Sequence, residues 1–143
     1  MQYSNLLFDI RENVAYITLN RPEAHNSIDL STAKEFYDAT YYCTKDPGVR
    51  AVIVTGSGKV FSTGGDLKAF ASEKDNLLRY LEELLNYYHN AISCLVYMNP
   101  PVITAVNGIA AGAGMSLACI GDIVLAAESA RFIMAYSVRG TTQ

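Results

Sequence analysis

Two short glycine-bearing segments constrain this chain most: Phe61-Ser62-Thr63-Gly64-Gly65-Asp66-Leu67, and Asn107-Gly108-Ile109-Ala110-Ala111-Gly112-Ala113-Gly114. Each follows a run of Val, Ile and Ala that reads as a buried strand, residues 51–55 and 102–106, and each leads into a helical pattern. One device is used twice. Small residues at such a strand-to-helix turn leave main-chain N–H groups uncovered, and the positive end of the helix dipole adds to their pull on an anion or a polarised oxygen. Two turns of this kind facing each other make an oxyanion hole.

The rest of the chain supports a soluble, enzyme-like reading. At 143 residues it is about one domain long, and half its residues are hydrophobic against 17% charged, an ordinary globular composition. A net charge of −3 and no basic stripe argue against nucleic acid as a partner. Cys43, Cys94 and Cys119 are odd in number, widely spaced and set among apolar residues, so they read as reduced core cysteines of a cytoplasmic protein, with no disulfide framework and no metal site. The N-terminus lacks the basic and apolar regions of a signal peptide. Residues 102–127 are nearly free of charge, but four glycines and Asp122, at a cost of roughly 2.5 to 3.5 kcal/mol in a bilayer, fit strand, helix and strand better than a membrane span.

Along the chain, residues 6–11 and 14–20 flank Glu12-Asn13 and predict a β-hairpin. Thr32 and Glu35 have capping-box spacing for a helix running to about residue 44. Leu77, Leu81, Leu84, Leu85, Tyr88, Ile92 and Leu95 recur at helical spacing, a core or subunit-contact stripe, and Asn99-Pro100-Pro101 ends that helix. A helix over 115–120 and short strands over 122–127 and 131–135 follow. This order, with parallel crossovers, gives an α/β class and one domain over residues 1–143.

Other glycine-loop chemistries fail on their residues. In Gly56-Ser57-Gly58-Lys59, Ile53 stands where a phosphate loop has its first glycine and Val60 where it has Ser or Thr. Neither G-x-G-x-x-G nor G-x-S-x-G occurs.

With both loops placed, the chain resembles the N-terminal part of the enoyl-CoA hydratase/isomerase (crotonase) superfamily. The resemblance runs through Asn20-Arg21-Pro22 with Asn26, Phe61-x-x-Gly64-Gly65-Asp66-Leu67, Pro101-Val102-Ile103-x-Ala105-Val106-Asn107-Gly108, and Asp122-Ile123. It implies a crotonase-like ββα spiral (ClpP/crotonase fold) without its C-terminal helices. It also implies an acyl-CoA ligand, coenzyme A entering as part of the thioester substrate with no separate cofactor, and a homo-oligomer, trimer or hexamer. By the same resemblance, the N–H groups of Gly65 and Ala113 form the oxyanion hole. Glu23, Ala24 and His25 lie along the CoA chain, and Gly64, Asp66 and Leu67 lie near the adenine.

The resemblance also marks a departure. The two glutamates that hydratases use to hold and split water are replaced by Ser116 and Tyr136, neither a carboxylate base near neutral pH. The context Phe132-Ile133-Met134-Ala135-Tyr136 resembles instead the isomerase and 4-chlorobenzoyl-CoA dehalogenase branches, whose essential aspartate falls one position after Gln143. His89, counted back from Pro101, matches the dehalogenase's active-site histidine; a histidine at the edge of the helical core face is the plainer reading. Asp66 is expected to cap the following helix, Ser116 to fill space on its own helix, and Tyr136 to line the acyl pocket. The chain is accordingly expected to be a fragment of a longer protein, inert by itself and prone to associate through uncovered apolar surface. Proton or double-bond shift in an acyl-CoA is the leading expectation, with a non-catalytic acyl-CoA-binding protein and a dehalogenase or hydrolase as alternatives.

Overall fold

The computed structural model describes residues 1–135. The hairpin forms as expected. Strands β1 (Leu6–Arg11) and β2 (Val14–Leu19) pair antiparallel from Leu6↔Leu19 to Arg11↔Val14. Glu12 and Asn13 both take positive φ, 50° and 64°, the two-residue turn whose twist suits a hairpin. β3 (Ala51–Gly56), β5 (Val102–Val106) and β7 (Ile123–Ala126) then add in parallel, giving one sheet ordered β1-β2-β3-β5-β7.

A second sheet accounts for what periodicity could not show. β4 (Val60–Ser62), β6 (Ile109–Ala111) and β8 (Arg131–Ile133) are three residues each and pair in parallel, in the order β4-β6-β8. The chain therefore passes from a long strand to a short strand of the other sheet three times, as β3–β4, β5–β6 and β7–β8. That repetition is a ββα spiral. The glycine turns thus do not join a long strand directly to a helix, as the sequence suggests; each leaves from a short strand in the second sheet.

Among the described residues the α-helices are α1 (Leu30–Lys45), α2 (Leu67–Glu73), α3 (Leu77–Tyr97) and α4 (Ala113–Cys119). α1 begins two residues earlier than its predicted capping box. Asp29 is the cap, its carboxylate accepting the Thr32 N–H at 2.8 Å and the Thr32 hydroxyl at 2.7 Å. Glu35, free of capping duty, instead accepts the Ser4 and Asn5 N–H groups at 3.1 and 2.8 Å and ties the chain's start to α1.

The core lies between the five-stranded sheet and the helix pair α1/α3. Ala15, Ile17, Leu19, Val52 and Val54 supply the sheet side, while Ala33, Phe36, Ala39, Leu84, Ala91 and Leu95 supply the helices, all of them buried. Tyr88 stacks on Phe36 with ring centroids 6.4 Å apart. Only one of the three cysteines fits the expected core role. Cys43 is buried, and burial pushes its thiol up to about 12, whereas Cys94 is half-buried and Cys119 exposed on the outer face of α4, whose inward face is Gly114, Leu117 and Ala118. The long exposed runs are elsewhere: every residue of β7 and β8 is exposed, including Ile123, Leu125, Phe132 and Ile133. Among the described residues no helix is long and apolar enough to cross a membrane, and no cluster of three His, Cys, Asp or Glu side chains could hold a metal ion.

Candidate active site

The two glycine turns meet beside one apolar cavity of about 350 Å³. Its walls come from both turns (Thr63, Gly65, Gly112 and Ala113), from Leu67 and Phe70 of α2, from Leu81, Leu84, Leu85 and Tyr88 of α3, and from Ile28 and Ala135. No carboxylate, histidine or thiol is among these lining residues.

The first turn is held like a short strand. The Ile28 N–H donates to the Gly64 carbonyl at 2.7 Å and the Asp66 N–H donates to the Ile28 carbonyl at 2.9 Å, a parallel bridge that turns the intervening Gly65 N–H away from Ile28. The second turn opens α4 at Ala113, and a first-position helix N–H has no intrahelical partner. Neither the Gly65 nor the Ala113 N–H takes part in the turn, loop and cap bonds among the described residues. α2 and α4 are seven residues each, so local N–H donors, more than a summed helix dipole, give the site its polarity.

The two turns touch closely enough to exclude side chains. Gly64 has φ of +86°, and a methyl group there would lie 2.9 Å from both the Ala111 carbonyl oxygen and the Ala113 nitrogen. Glycine at 64 is therefore needed twice over, for the backbone conformation and for access to the Ala113 N–H.

Polar ties fix the turns from behind. Arg21 places its guanidinium 3.0 Å from the Asp66 carboxylate and 3.2 Å from that of Asp29, and donates to the Ser27 carbonyl at 2.8 Å. Asp66 also accepts the Lys68 and Ala69 N–H groups, both at 3.1 Å, and caps α2 as expected. Asn26, 1% exposed, accepts the Arg21 N–H at 2.8 Å and donates to the Ser57 and Val60 carbonyls at 2.9 and 2.7 Å. Asn107 makes the matching stitch at the second turn, accepting the Gly56 N–H at 3.2 Å and donating to the Gly58 carbonyl at 3.0 Å. Asn26 and Asn107, two of the asparagines in the sequence motifs, are thus fasteners of loops, and Arg21 faces carboxylates.

Asp66 also sets an acid limit. Burial opposes its ionised form, but the Ala69 N–H and the Arg21 guanidinium outweigh burial and hold the carboxyl below its usual value. A depressed folded value means that the stabilisation is whole above the unfolded carboxyl value of about 3.9 and is lost as pH falls through the folded one. Asp66→Asn is expected to flatten the loss of melting temperature below pH about 4 relative to the natural chain. Parallel melting curves across that range would refute the assignment.

The remaining sequence candidates fall on either side of the cavity wall. Glu23 and His25 are exposed and Ala24 half-buried, on and after the 3-10 turn Pro22–Ala24, and the His25 carbonyl accepts the Thr63 N–H at 3.2 Å, so this loop abuts the first turn. Leu67 is exposed at the cavity's edge. Ser116 is exposed and borders a smaller cavity of about 210 Å³ with Met115, Cys119 and Met134, sharing only Gly112 with the larger one. His89 is exposed and outside the lining; the preceding residue, Tyr88, faces inward and donates its phenol proton to the Ala113 carbonyl at 2.9 Å. Tyr136 lies outside the described residues.

A ββα spiral with paired glycine turns defines the class of protein, and comparison with known proteins agrees. The family model for enoyl-CoA hydratase/isomerase matches residues 9–143. The chain belongs to the enoyl-CoA hydratase/isomerase family. It is 38% identical over 138 residues to a Rhodobacter capsulatus protein named as a probable enoyl-CoA hydratase, covering 96% of this chain and 51% of that one. It is 36% identical over 136 residues to the 1,2-epoxyphenylacetyl-CoA isomerase of Escherichia coli, covering 94% and 52%. The crystal structure of an enoyl-CoA hydratase from Mycobacterium smegmatis superposes with a TM-score of 0.88 at 33% identity, over 96% of this chain and 53% of that one. The chain spans about half the length of the curated relatives it matches.

Proposed function

We propose that the whole protein binds an acyl-CoA by its thioester carbonyl, between the N–H groups of Gly65 and Ala113, and stabilises the enolate formed when an α-proton is removed, so that a proton or double bond moves. The observation that carries this is that Gly65 and Ala113 line one apolar cavity and that neither N–H takes part in a turn, loop or cap bond among the described residues. Such donors act where charge develops, each worth roughly 3 to 4 kcal/mol in a site that excludes water. The apolar walls suit an alkyl or aryl acyl group. The placing of serine and tyrosine at the positions where, by the family resemblance, hydratases carry water-activating glutamates supports proton shift over hydration; the relatives themselves include both a probable hydratase and an isomerase. The loop of Glu23, Ala24 and His25, with Gly64, Asp66 and Leu67, is the proposed path of the CoA moiety. Residues 1–143 by themselves are proposed to self-associate through the exposed strands β7 and β8.

The absence of a titratable acid or base other than Tyr88 from the described lining favours one other reading, an acyl-CoA-binding protein without turnover. A single experiment separates them. Saturated acyl-CoA is incubated with the protein in D₂O and the α-position followed by NMR, with crotonyl-CoA hydration measured alongside. Deuterium uptake without hydration is the expected result. General acid–base groups contribute about 10² to 10⁴-fold each, so hydration at ordinary enzymatic rates would overturn the proposal. Tight binding with no α-exchange would establish the binding-protein reading.

A further inference from the structure

The N-cap of α4 is Gly112, which has no side chain to cap the first turn, so the residue carrying the second donor must be held from outside the helix. On one side the Gly112 N–H donates to the Ile133 carbonyl at 3.1 Å. On the cavity side the Tyr88 phenol donates to the carbonyl of Ala113, a residue that lines the cavity and carries the proposed second donor. Tyr88 is 6% exposed and its ring is stacked on Phe36, so the phenol oxygen is set by the packing of α1 against α3. A rigid ring on a rigid helix therefore fixes Ala113 relative to the cavity.

We propose that Tyr88 is a positioning residue for the Ala113 donor: its hydrogen bond to the Ala113 carbonyl sets the direction in which the Ala113 N–H meets a bound thioester. The inference rests on the carbonyl-polarising reading of Gly65 and Ala113. Donors in such a site work over a narrow window of about 2.7 to 3.1 Å, and a misplacement of about 1 Å costs on the order of 10²-fold in rate. Phenylalanine at 88 would keep the ring, the stack and the apolar wall while releasing the Ala113 carbonyl.

The test uses cinnamoyl-CoA, whose absorption moves to longer wavelength when its carbonyl is polarised. Its bound spectrum is compared in the natural chain, Tyr88→Phe and Tyr80→Phe. Tyr80 lies on the same helix, but its phenol oxygen accepts the Leu30 N–H at 2.9 Å and it does not line the cavity. Tyr88→Phe is expected to lose at least about half the red shift while its dissociation constant changes less than about threefold, since ground-state contacts survive. Tyr80→Phe is expected to keep the full shift. A full shift in Tyr88→Phe overturns the inference. No shift in the natural chain overturns the carbonyl-polarising reading and this inference with it, so the two failures are distinguishable. Amide exchange in the ligand-free proteins guards against simple loosening. Faster exchange confined to the hydrogen-bonded amides at the start of α4, beginning with Ser116, about tenfold or more, supports positioning, and an equal rise across α3 refutes it.

Discussion

Gly114→Ala is expected to drive the two glycine turns apart. A methyl group at 114 would lie 2.2 Å from the Ser62 carbonyl oxygen, 2.7 Å from the Ser62 carbonyl carbon and 2.8 Å from the Ser62 Cβ. None of these is the far end of a flexible side chain. Ser62 cannot move aside freely, because its hydroxyl donates to the Asn26 carbonyl at 2.8 Å and accepts the Gly64 N–H at 3.2 Å. Overpacking costs about 1 to 3 kcal/mol and each broken buried hydrogen bond about 1 more, so a loss of about 3 kcal/mol or greater is expected. The urea midpoint should fall accordingly, and the variant that remains folded should polarise a bound thioester weakly. A midpoint shift worth less than about 0.5 kcal/mol would show that the turns are not in the contact described.

Asn26→Asp is expected to be nearly as damaging for a different reason. The residue has φ of 53°, which aspartate tolerates about as well as asparagine, so the backbone is not at issue. The amide nitrogen faces two carbonyl oxygens, those of Ser57 and Val60, and a carboxylate there meets both with a third negative oxygen in a site 1% exposed. An uncompensated buried charge costs about 3 to 5 kcal/mol. The sign with pH follows. The buried carboxyl's folded value would be raised, so the penalty is full well above that value and shrinks as pH falls through it. Asn26→Asp should thus approach the natural chain's stability on acidification, while Asn26→Ala should not. Equal pH profiles for the two variants would contradict this picture of the loop.

These expectations show where sequence reading reaches and where it stops. The hairpin was legible because Glu12-Asn13 sits between two alternating runs, a wholly local signal. The long strands and α3 announced themselves by period. β8 lies within the strand expected over 131–135, but β4 and β6 did not announce themselves, since three residues cannot display an alternation, and so the second sheet emerges only in three dimensions. Helical spacing already placed Tyr88 on one stripe with Leu84 and Leu95, and the structure buries these three together with Ala91. The count back from Pro101 pointed to His89, which a rotation of one residue carries out to solvent. Arg21 illustrates the other limit: its partners Asp29 and Asp66 come from separate segments, and nothing near residue 21 in the chain says whether the guanidinium will meet a carboxylate or a phosphate. Gly65 and Ala113 were identifiable as small residues at turn positions, but the close contact between their loops, which leaves room for no side chain on Gly64, is a matter of tertiary packing.

The bridge from Ile28 to Gly64 and Asp66 has a thermodynamic consequence. It makes the first donor loop an extension of the segment that enters α1, and the Asn26 and Ser62 ties bind the same segment to β4. The first donor loop is therefore tied to its neighbours: to move it from the cavity, hydrogen bonds that seat the start of α1 and β4 must break as well. Under such linkage a thioester that requires the closed rim binds the folded chain alone, and at a free concentration of 100 times its dissociation constant it adds about 2.7 kcal/mol to the whole fold. Ligand occupancy and global unfolding then become one equilibrium, measurable from either end.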